Sequence, residues 1–457
     1  MNIDASGTRA RITVIGAGYL GLTHAACLAE FGHEVLAVDT DAAKMAQAAS
    51  GSVPFFEPGL QELLRKQLDS GRLRFTTSHA EAASFGDIHF LCVGTPQSAD
   101  GSADLSQLHA AADALAPHLT GPCLIAGKST VPVGTARALR ARIAASAPAG
   151  ADVEVVWNPE FLREGTAVQD SLRPDRIVVG TTSEAATERL RQVYAVPLAA
   201  GVPWLVMGLE TAELVKVSAN AFLATRLSFV NALAEVCEVA GGDIVALTGA
   251  LARDERIGSK FMTAGLGYGG GCLPKDVRAF ESVASELGIG SLATLLGEVD
   301  AINMRCRTRT VDLARHLAGG SLAGCRIGAL GVAFKPGSDD VRNSASLDVC
   351  GRLAAEGATV TVHDPVATGS AARVRPDLRY VESPVTAATG ADLVVHLTDW
   401  EEYRLMDPEV LGTVVAQRRI IDTRAALDEQ RWRSAGWSFH ALGRSLGSVG
   451  LARAGAA

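Results

Sequence analysis

The stretch that decides the fold is RITVIGAGYLGLTHAACLAEFGHEVLAVD, residues 11–39. A β-branched run, Ile12 to Ile15, leads directly into the glycine turn GAGYLG, residues 16–21. An apolar-periodic segment follows, which predicts a helix, and then a second strand from Glu34 to Val38. Strand, glycine turn, helix and strand in this order predict a βαβ unit with two parallel strands.

The glycines of this turn have the spacing that a bound dinucleotide requires. Gly16 allows a tight turn, Gly18 lets a pyrophosphate approach the backbone, and Gly21 lets the helix pack closely on the strand. The helix then presents unpaired N–H groups to the phosphates. Asp39, after the second strand, would accept a hydrogen bond from a ribose 2′-hydroxyl and repel a 2′-phosphate. The stretch therefore predicts NAD, rather than NADP, as the cofactor.

The composition is that of a compact globular protein. Of the 457 residues, 48% are apolar and 20% are charged. A chain of this length is long enough for two or three domains. A net charge of −8 argues against a general binder of nucleic acid or of anionic membranes. The N-terminal residues MNIDASGTRA lack an apolar signal core and no membrane span is evident, so we expect a cytoplasmic protein. Eight cysteines without a CxxC pair predict reduced thiols and no metal site.

Further segments predict more strands of the same sheet: DIHFLCVGTP, CLIAGKSTVPVG, VEVVWNPEF and RIVVG. Ligands of doubly wound sheets bind beyond the carboxyl ends of the strands. The residues that follow these strands include Thr95, then Ser129 and Thr130, then Glu160 and Glu164. Each could be an ordinary turn residue, but their common place at one rim of the sheet favours a binding role.

A long helix is predicted next, because residues 210–240 contain neither Gly nor Pro and apolar residues recur at helical spacing. We interpret it as a spine between two domains and as a dimer surface. Lys216 and Asn220 are four residues apart and so share one face of this helix. The alternative for Lys216 is a solvated surface lysine.

The C-terminal part returns to alternating strands and helices. CRIGALGVAF, TVTVHDP, ADLVVHLTD and RRIIDTR each predict a strand, and the second of these reaches Asp364. This part has no GxGxxG, and its first strand leads into the loop FKPGSDDVRNSAS, residues 334–346. The predicted fold is therefore α/β, with two Rossmann-like doubly wound domains joined by a long central helix. The expected boundaries are 1–206 for the NAD-binding domain, 207–318 for the central helical region, 319–446 for the second Rossmann-like domain and 447–457 for a disordered tail.

One stretch of the central region, GLGYGGGCLPKD at residues 265–276, delivers a single thiol. Five glycines precede Cys272, and Lys275 and Asp276 follow it. Glycine is used where backbone bends sharply or approaches a ligand. One interpretation is a flexible loop with Cys272 as a small buried apolar residue. The other interpretation is that the loop exposes Cys272 as a reactive thiol.

Seven motifs together identify a family: GAGYLGL, FLCVGTP, KSTVPVGT, NPEFLREGTA, ELVKVSANAF, GYGGGCLPKD and FKPGSDDVR. The chain resembles the nucleotide-sugar 6-dehydrogenases of the UDP-glucose/GDP-mannose dehydrogenase superfamily, from about Arg11 to Arg424. The resemblance implies a UDP-sugar-binding second domain, a homodimer through the central helix, and oxidation of UDP-glucose to UDP-glucuronate with two NAD. Siblings that act on GDP-mannose or a UDP-N-acetylhexosamine are the alternative, and RIGSKFMTAGLGYGGG, residues 256–271, favours UDP-glucose.

The resemblance also implies catalytic roles. Cys272 would trap the intermediate aldehyde as a thiohemiacetal, which loses the second hydride to become a thioester. Lys216 and Lys275 are candidate cations that favour its thiolate. Lys216 and Asp276 would serve proton transfer with an ordered water, and Asn220 would donate to the same oxygen.

Thr130 and Glu160 match the family positions that hold and activate the hydrolytic water. Other positions match binding residues, and in this family the residue matching Arg256 can come from the partner subunit. The implied cofactor contacts are Gly16, Gly18, Tyr19, Leu20, Gly21, Asp39, Lys44, Thr95, Ser129, Thr130, Glu164, Lys275 and Arg342. The implied substrate contacts are Glu160, Phe161, Leu162, Lys216, Asn220, Arg256, Phe261, Tyr268, Gly269, Phe334 and Lys335.

Some positions depart from the family pattern. Thr263 stands where some members carry a basic residue, and Gly337, Ser338 and Asn343 replace residue types that relatives more often show. Two other functions stay open. A 3-hydroxyacid dehydrogenase would resemble the first domain and spine but needs no cysteine, and a dinucleotide-binding sensor should have lost part of the catalytic set.

Overall fold

The computed structural model describes residues 9–444, so the predicted tail at 447–457 lies outside the described residues. The chain divides into two compact units, residues 1–219 and 220–457. The division falls inside one long helix, Leu209–Ala240, which confirms the helix predicted over 210–240. The finer domain boundaries stay predictions.

The first unit is built on an eight-stranded sheet. Its strands are β1 (Arg11–Ile15), β2 (Glu34–Val38), β3 (Leu73–Thr76), β4 (Ile88–Leu91), β5 (Cys123–Gly127), β6 (Val153–Trp157), β7 (Ile177–Gly180) and β8 (Trp204–Met207). Its helices are α1 (Tyr19–Glu30), α2 (Ala42–Ala49), α3 (Leu60–Asp69), α4 (His79–Phe85), α5 (Ser106–Leu115), α6 (Thr135–Ser146), α7 (Ala167–Leu172), α8 (Glu184–Val193) and α9 (Ala195–Ala199), with short 3₁₀ turns at Ala116–His118 and Gly150–Asp152. The long helix is α10 (Leu209–Ala240).

The strand order β3-β2-β1-β4-β5-β6-β7-β8 places β1 next to β2 and β4, as a doubly wound sheet requires. The paired strands are parallel except for β6 and β7, which pair antiparallel at Trp157 and Gly180. An antiparallel neighbour needs no crossover helix, and the segment between these two strands contains only the six-residue α7. This segment is the one that carries Glu160 and Glu164.

The central strands of the first sheet are buried on both faces, which explains why they read as nearly continuous apolar runs. Successive side chains of a strand point to opposite faces. In β1, Ile12 and Val14 join the apolar core on one face, whereas Ile15 joins the core on the other. The glycine turn therefore starts from a strand that is held on both sides.

The second unit contains a six-stranded parallel sheet in the order β11-β10-β9-β12-β13-β14. These strands are β9 (Arg326–Leu330), β10 (Thr359–His363), β11 (Arg379–Tyr380), β12 (Leu393–His396), β13 (Arg419–Asp422) and β14 (Ser438–Ala441). The helices are α11 (Ile244–Leu251), α12 (Leu273–Glu286), α13 (Gly290–Leu317), α14 (Ala345–Ala355), α15 (Thr368–Val374), α16 (Pro384–Ala388), α17 (Glu401–Leu405), α18 (Pro408–Gly412) and α19 (Glu429–Ser434). The predicted fold class is confirmed: both sheets have the doubly wound order, and one long helix leads from the first unit into the second.

Among residues 9–444, no helix is long and apolar enough to cross a membrane.

Candidate active site

The glycine turn at the start of α1 has the backbone that its sequence predicts. Gly16 has a φ of +93°, a conformation that favours glycine. A Cβ atom on Gly21 would lie 1.7 Å from the Gly16 carbonyl oxygen, so the helix packs on the turn at a distance that only glycine permits. A Cβ atom on Gly18 would meet no atom within 4 Å. The space beside Gly18 is open, as the approach of a pyrophosphate requires.

Asp39 is tied to the same turn. Its carboxylate accepts hydrogen bonds from the backbone N–H of Ala17 at 2.9 Å and of Asp41 at 3.0 Å, and from Nζ of Lys44 at 2.9 Å. Burial acts to raise the pKa of Asp39, but these hydrogen bonds outweigh it and hold the pKa below its usual value. Asp39 is therefore an ionised acceptor at neutral pH.

A cleft of about 420 Å³ opens along this end of the sheet. Its walls include the glycine turn, Asp39 and Lys44, together with residues that follow β4. The open space beside Gly18 and the ionised Asp39 at the far wall fit the diphosphate and a ribose diol of NAD, respectively. Leu20 lines a second cavity of this unit, and its contact with the cofactor stays a prediction.

The polar residues after β4 and β5 are held by the backbone of the adjacent loop. Thr95 donates its hydroxyl to the Thr130 carbonyl at 2.8 Å, and Ser129 donates to the Val93 carbonyl at 2.6 Å. Both hydroxyl-bearing residues are buried. The structure thus brings Thr95, Ser129 and Thr130 together at one rim, while their ligand contacts stay predictions.

An ion pair forms at the end of β6. Nζ of Lys216 lies 3.1 Å from Oε1 of Glu160, and both side chains are largely buried. The other carboxylate oxygen of Glu160 accepts the Leu162 N–H at 2.5 Å. The Lys216 ammonium also lies 5.6 Å from the ring centre of Phe161. Lys216 is 5% exposed, so the alternative of a solvated surface lysine is wrong.

In the second unit, Cys272 occupies the N-cap position of α12 and is exposed. Six of the other cysteines are buried and Cys325 is partly buried. The interpretation of Cys272 as a small buried apolar residue is therefore wrong. The N–H of Asp276, one helical turn later, donates to the Cys272 carbonyl at 3.0 Å.

The Asp276 carboxylate is buried beneath that first turn. One oxygen accepts a hydrogen bond from Nδ2 of Asn220 at 2.6 Å, and the other accepts one from Nζ of Lys275 at 2.5 Å. The structure thus joins three predicted residues, Asn220, Lys275 and Asp276, in one hydrogen-bonded cluster. The ammonium of Lys275 is directed to Asp276.

The glycines before Cys272 have a role within the protein itself. The N–H groups of Gly265, Leu266 and Tyr268 donate to other parts of the protein and are not available to a ligand. Cβ atoms on Gly269 and Gly270 would lie 2.5 Å from a backbone oxygen and 2.7 Å from the Phe334 ring, respectively. These glycines let the loop pack tightly on its surroundings.

The remaining predicted substrate and cofactor residues of the second unit lie in several environments. Phe334 packs on the glycine loop, and a Cβ atom on Gly271 would lie 2.6 Å from the Arg342 guanidinium carbon. Tyr268 is buried, and its hydroxyl has no partner in the described part of the chain. Arg256 is different, because its side chain is 88% exposed and pairs with Asp254. Phe261 is exposed with a φ of +57°, and Lys335 lies 5.5 Å from the Phe334 ring centre.

Sequence analysis missed three buried charged residues of the first unit, Glu57, Lys128 and Glu213. Lys128 donates to the Asn158 side chain at 3.0 Å and to the Tyr194 hydroxyl at 3.4 Å. Burial lowers the pKa of Lys128 to about 8. The signal for Lys128 was its place in KSTVPVGT, immediately after an apolar strand; Glu57 stands between Phe56 and Pro58, in a segment with no periodic pattern.

Comparison with known proteins agrees with this geometry. The cleft of the first unit is that of a dinucleotide-binding protein, and three family models identify an NAD-dependent oxidoreductase. They are the NAD binding domain, the central domain and the UDP binding domain of the UDP-glucose/GDP-mannose dehydrogenase family, and they match residues 10–197, 210–305 and 328–429. The chain belongs to this family, and the resemblance of its motifs is confirmed.

Individual relatives are similar over almost the whole chain. UDP-glucose 6-dehydrogenase of Pseudomonas aeruginosa is 40% identical over 443 residues, which cover 95% of this chain and 97% of that protein. The structure of a UDP-glucose dehydrogenase from Pyrobaculum islandicum has a TM-score of 0.90 at 36% identity and covers 97% of this chain and 100% of that one. A UDP-D-ManNAc dehydrogenase from Pyrococcus horikoshii has a TM-score of 0.84 at 26% identity, covering 95% and 99%.

Proposed function

We propose that the chain oxidises the C6 hydroxyl of UDP-glucose to a carboxylate and passes two hydrides to two NAD. The observation that carries the proposal is the exposed thiol of Cys272, one helical turn before the buried Asp276 cluster. An alcohol oxidation that stops at the aldehyde needs no nucleophile, whereas oxidation to the acid benefits from one that holds the aldehyde. UDP-glucose is favoured because the 40% identical relative carries that name.

The first oxidation requires a group that takes the hydroxyl proton as hydride leaves C6. NAD, when bound, accepts the hydride. We assign the proton to Lys216 and Asp276 acting through an ordered water, and a hydrogen bond to the same oxygen to Asn220. The support is that Lys216 is held by Glu160 and that the Asp276 carboxylate is held by Asn220. Lys216, Asn220 and Asp276 are all buried.

The second oxidation proceeds on Cys272. Its thiolate adds to the aldehyde carbon, the resulting alkoxide takes a proton, and a thiohemiacetal forms. Loss of the second hydride and the hydroxyl proton leaves a thioester. Water, held by Thr130 and activated by Glu160, adds to the thioester carbon and releases the carboxylate product and the thiol. Glu160 already has one oxygen on Lys216 and one on a backbone N–H, so its orientation is constrained.

The decisive assay is the ratio of NADH formed to sugar nucleotide consumed, with UDP-glucose, GDP-mannose and UDP-N-acetylglucosamine tested separately. We expect about two NADH per UDP-glucose and little reaction with the other two. One NADH per sugar would mean that the aldehyde is released, which contradicts the role of Cys272. If the protein binds NAD but forms no NADH with any of the three sugar nucleotides, the result would favour the alternative function of a dinucleotide-binding sensor.

Replacement of the thiol tests the covalent step. We expect Cys272→Ser to form at most one NADH equivalent per active site and no sustained UDP-glucuronate. The serine hydroxyl is a poorer nucleophile than a thiolate, and its alkoxide is a poorer leaving group. Cys325→Ser, at the partly buried cysteine, is the matched control and should turn over normally. Sustained UDP-glucuronate production by Cys272→Ser would remove the covalent mechanism.

We also propose a homodimer through α10. Phe222, Phe229 and Val236 recur every seven residues on this helix, and each is at least 60% exposed. Such a stripe resembles a surface that a second copy covers. The exposed Arg256 is then available to a partner's substrate. Sedimentation should show a dimer for the wild type and a monomer for Phe229→Glu; a monomeric wild type would contradict the proposal.

A cytoplasmic location stays a prediction.

A further inference from the structure

Glu57 is a buried carboxylate that joins two functional segments of the first unit. It lies between α2 and α3 and is 6% exposed. One oxygen accepts the hydroxyl of Tyr19, the first residue of α1, in a short contact, and the Gly165 N–H at 2.6 Å. The other oxygen accepts the Ala167 N–H at 2.7 Å. Glu57 therefore forms hydrogen bonds both to the first residue of α1, the helix that follows the glycine turn, and to the end of the loop after β6.

The three donors to this carboxylate are neutral, a phenol and two peptide groups. Burying a charge is costly unless hydrogen bonds compensate it, and removing one partner from such a cluster is more costly still. Burial, together with the hydrogen bond and charge of Glu57, raises the pKa of Tyr19, so the phenol keeps its proton and donates. The rings of Tyr19 and Phe55 also lie 4.8 Å apart, which packs the Glu57 segment on α1.

The loop that Glu57 holds contains four of the predicted cofactor and substrate contacts: Glu160, Phe161, Leu162 and Glu164. Residues 158–166 form no helix or strand. At its start, the loop is fixed by Glu160, whose carboxylate bonds to Lys216 and to the Leu162 N–H. At its end it is fixed by Glu57 through Gly165. Between these two anchors, Asp170 accepts the Arg163 backbone N–H at 2.9 Å and its guanidinium, so Glu57 is the anchor of the end of the loop next to α1.

We propose that Glu57 is a positioning residue, which acts through Tyr19 and Gly165 to hold the 158–166 loop against the dinucleotide-binding turn. The inference rests on the proposed function only in that this loop serves the dehydrogenase reaction. Its consequence for binding is independent of the sugar. Loss of the carboxylate loosens the Gly165 end of the loop and weakens NADH binding as well as turnover.

The test is NADH affinity by fluorescence titration of purified protein without sugar nucleotide. Glu57→Gln keeps the size of the side chain but offers one carbonyl oxygen to three donors, and it should raise the Kd for NADH roughly tenfold. The protein should remain folded by circular dichroism. The matched control is Glu62→Gln, at an exposed residue of α3, which should leave the Kd unchanged.

Tyr19→Phe separates the linkage from a direct cofactor contact, because it removes only the hydroxyl that Glu57 accepts. It should raise the Kd about threefold, and the Glu57→Gln/Tyr19→Phe double variant should bind no more weakly than Glu57→Gln alone. Additive effects of the two changes would overturn the linkage. If Glu57→Gln does not fold, an unchanged Kd in Tyr19→Phe would overturn it equally.

The outcome for Glu57 is distinguishable from the outcome for the proposed reaction. Protein that binds NADH but forms none from UDP-glucose contradicts the reaction and leaves the Kd comparison intact. A folded Glu57→Gln with wild-type Kd and wild-type turnover contradicts the positioning role, whatever the substrate is.

Discussion

The two α/β units use the same position of their sheets in opposite ways. In each unit, an aspartate follows the strand next to the first one: Asp39 after β2 and Asp364 after β10. Asp39 is only partly buried and faces the dinucleotide cleft. Asp364 is 3% exposed, and its carboxylate accepts five hydrogen bonds, from the N–H groups of Val332, Ala333, Val366 and Ala367 and the indole of Trp400.

The difference follows from the turn beside each aspartate. Between β1 and α1 the turn is residues 16–18, whereas between β9 and α14 the chain runs through residues 331–344. The longer loop needs an acceptor for its backbone N–H groups, and Asp364 supplies it. The short glycine turn leaves Asp39 partly open to a ligand. Equivalent topology therefore does not imply an equivalent site.

The largest effect is expected from removing the internal acceptor. Asp364→Ala leaves four backbone N–H groups and an indole without their partner, and should lower the free energy of unfolding by about 3–5 kcal/mol. Urea denaturation, followed by tryptophan fluorescence, measures it. Asp377→Ala, at an exposed aspartate paired with Arg375, is the control and should change little. A loss below about 1 kcal/mol for Asp364→Ala would show that the carboxylate does not hold the loop.

Cations held inside the two units, Lys128 buried and Arg424 partly buried, give a second contrast. Arg424 in the second unit lies near Asp399 and Asp422, whereas Lys128 in the first donates to neutral groups. Burial lowers the pKa of Lys128 from 10.5 to about 8, so the unfolded chain binds more protons between these values. Stability contributed by this group therefore rises with pH in that window.

Lys128→Met removes this dependence. The free energy of unfolding of the variant relative to wild type should fall by about 2 kcal/mol between pH 7 and pH 9.5, because the wild type is relieved of its buried charge. Lys260→Met, at an exposed lysine, should show no such trend. Parallel pH profiles for wild type and Lys128→Met would mean that Lys128 is not a buried cation at pH 7.

The open aspartate should affect binding more than folding. Asp39→Asn should raise the Kd for NADH roughly tenfold and reduce the preference over NADPH, because a charged acceptor is lost and Lys44 is released toward a 2′-phosphate. Fluorescence titration with both dinucleotides measures it. Asp69→Asn, at the exposed end of α3, is the control. An unchanged preference would remove Asp39 from the ribose site.

The smallest effect on stability is expected at Gly18. Its φ of −75° and the empty space beside it accept a methyl group, so Gly18→Ala should change the free energy of unfolding by less than about 1 kcal/mol. NADH binding should nevertheless weaken, because the methyl group lies where the pyrophosphate approaches. Gly21→Ala should destabilise the protein instead, since its Cβ meets the Gly16 carbonyl. Equal behaviour of the two variants would contradict the assignment of the turn.

Local signals were enough for the first βαβ unit, the long helix and the family. The alternation of apolar residues, the glycine spacing and the absence of Gly and Pro over 210–240 are properties of neighbouring residues. The exposure of Cys272 and the burial of Lys216 were each one of two alternatives that the sequence left open. Burial depends on what packs against a residue from elsewhere in the chain, and the structure decided both.

The sequence by itself determined the kind of protein: a doubly wound chain with a dinucleotide turn, an acid after the second strand and a thiol after a glycine loop. Only the tertiary structure decided how the charged groups are used. Asp364 accepts hydrogen bonds from the loop after β9, Lys275 is directed to Asp276, and Glu57 joins α1 to a loop more than 100 residues away. The physical reason is that hydrogen bonds and desolvation depend on distance in space, which local sequence pattern does not encode.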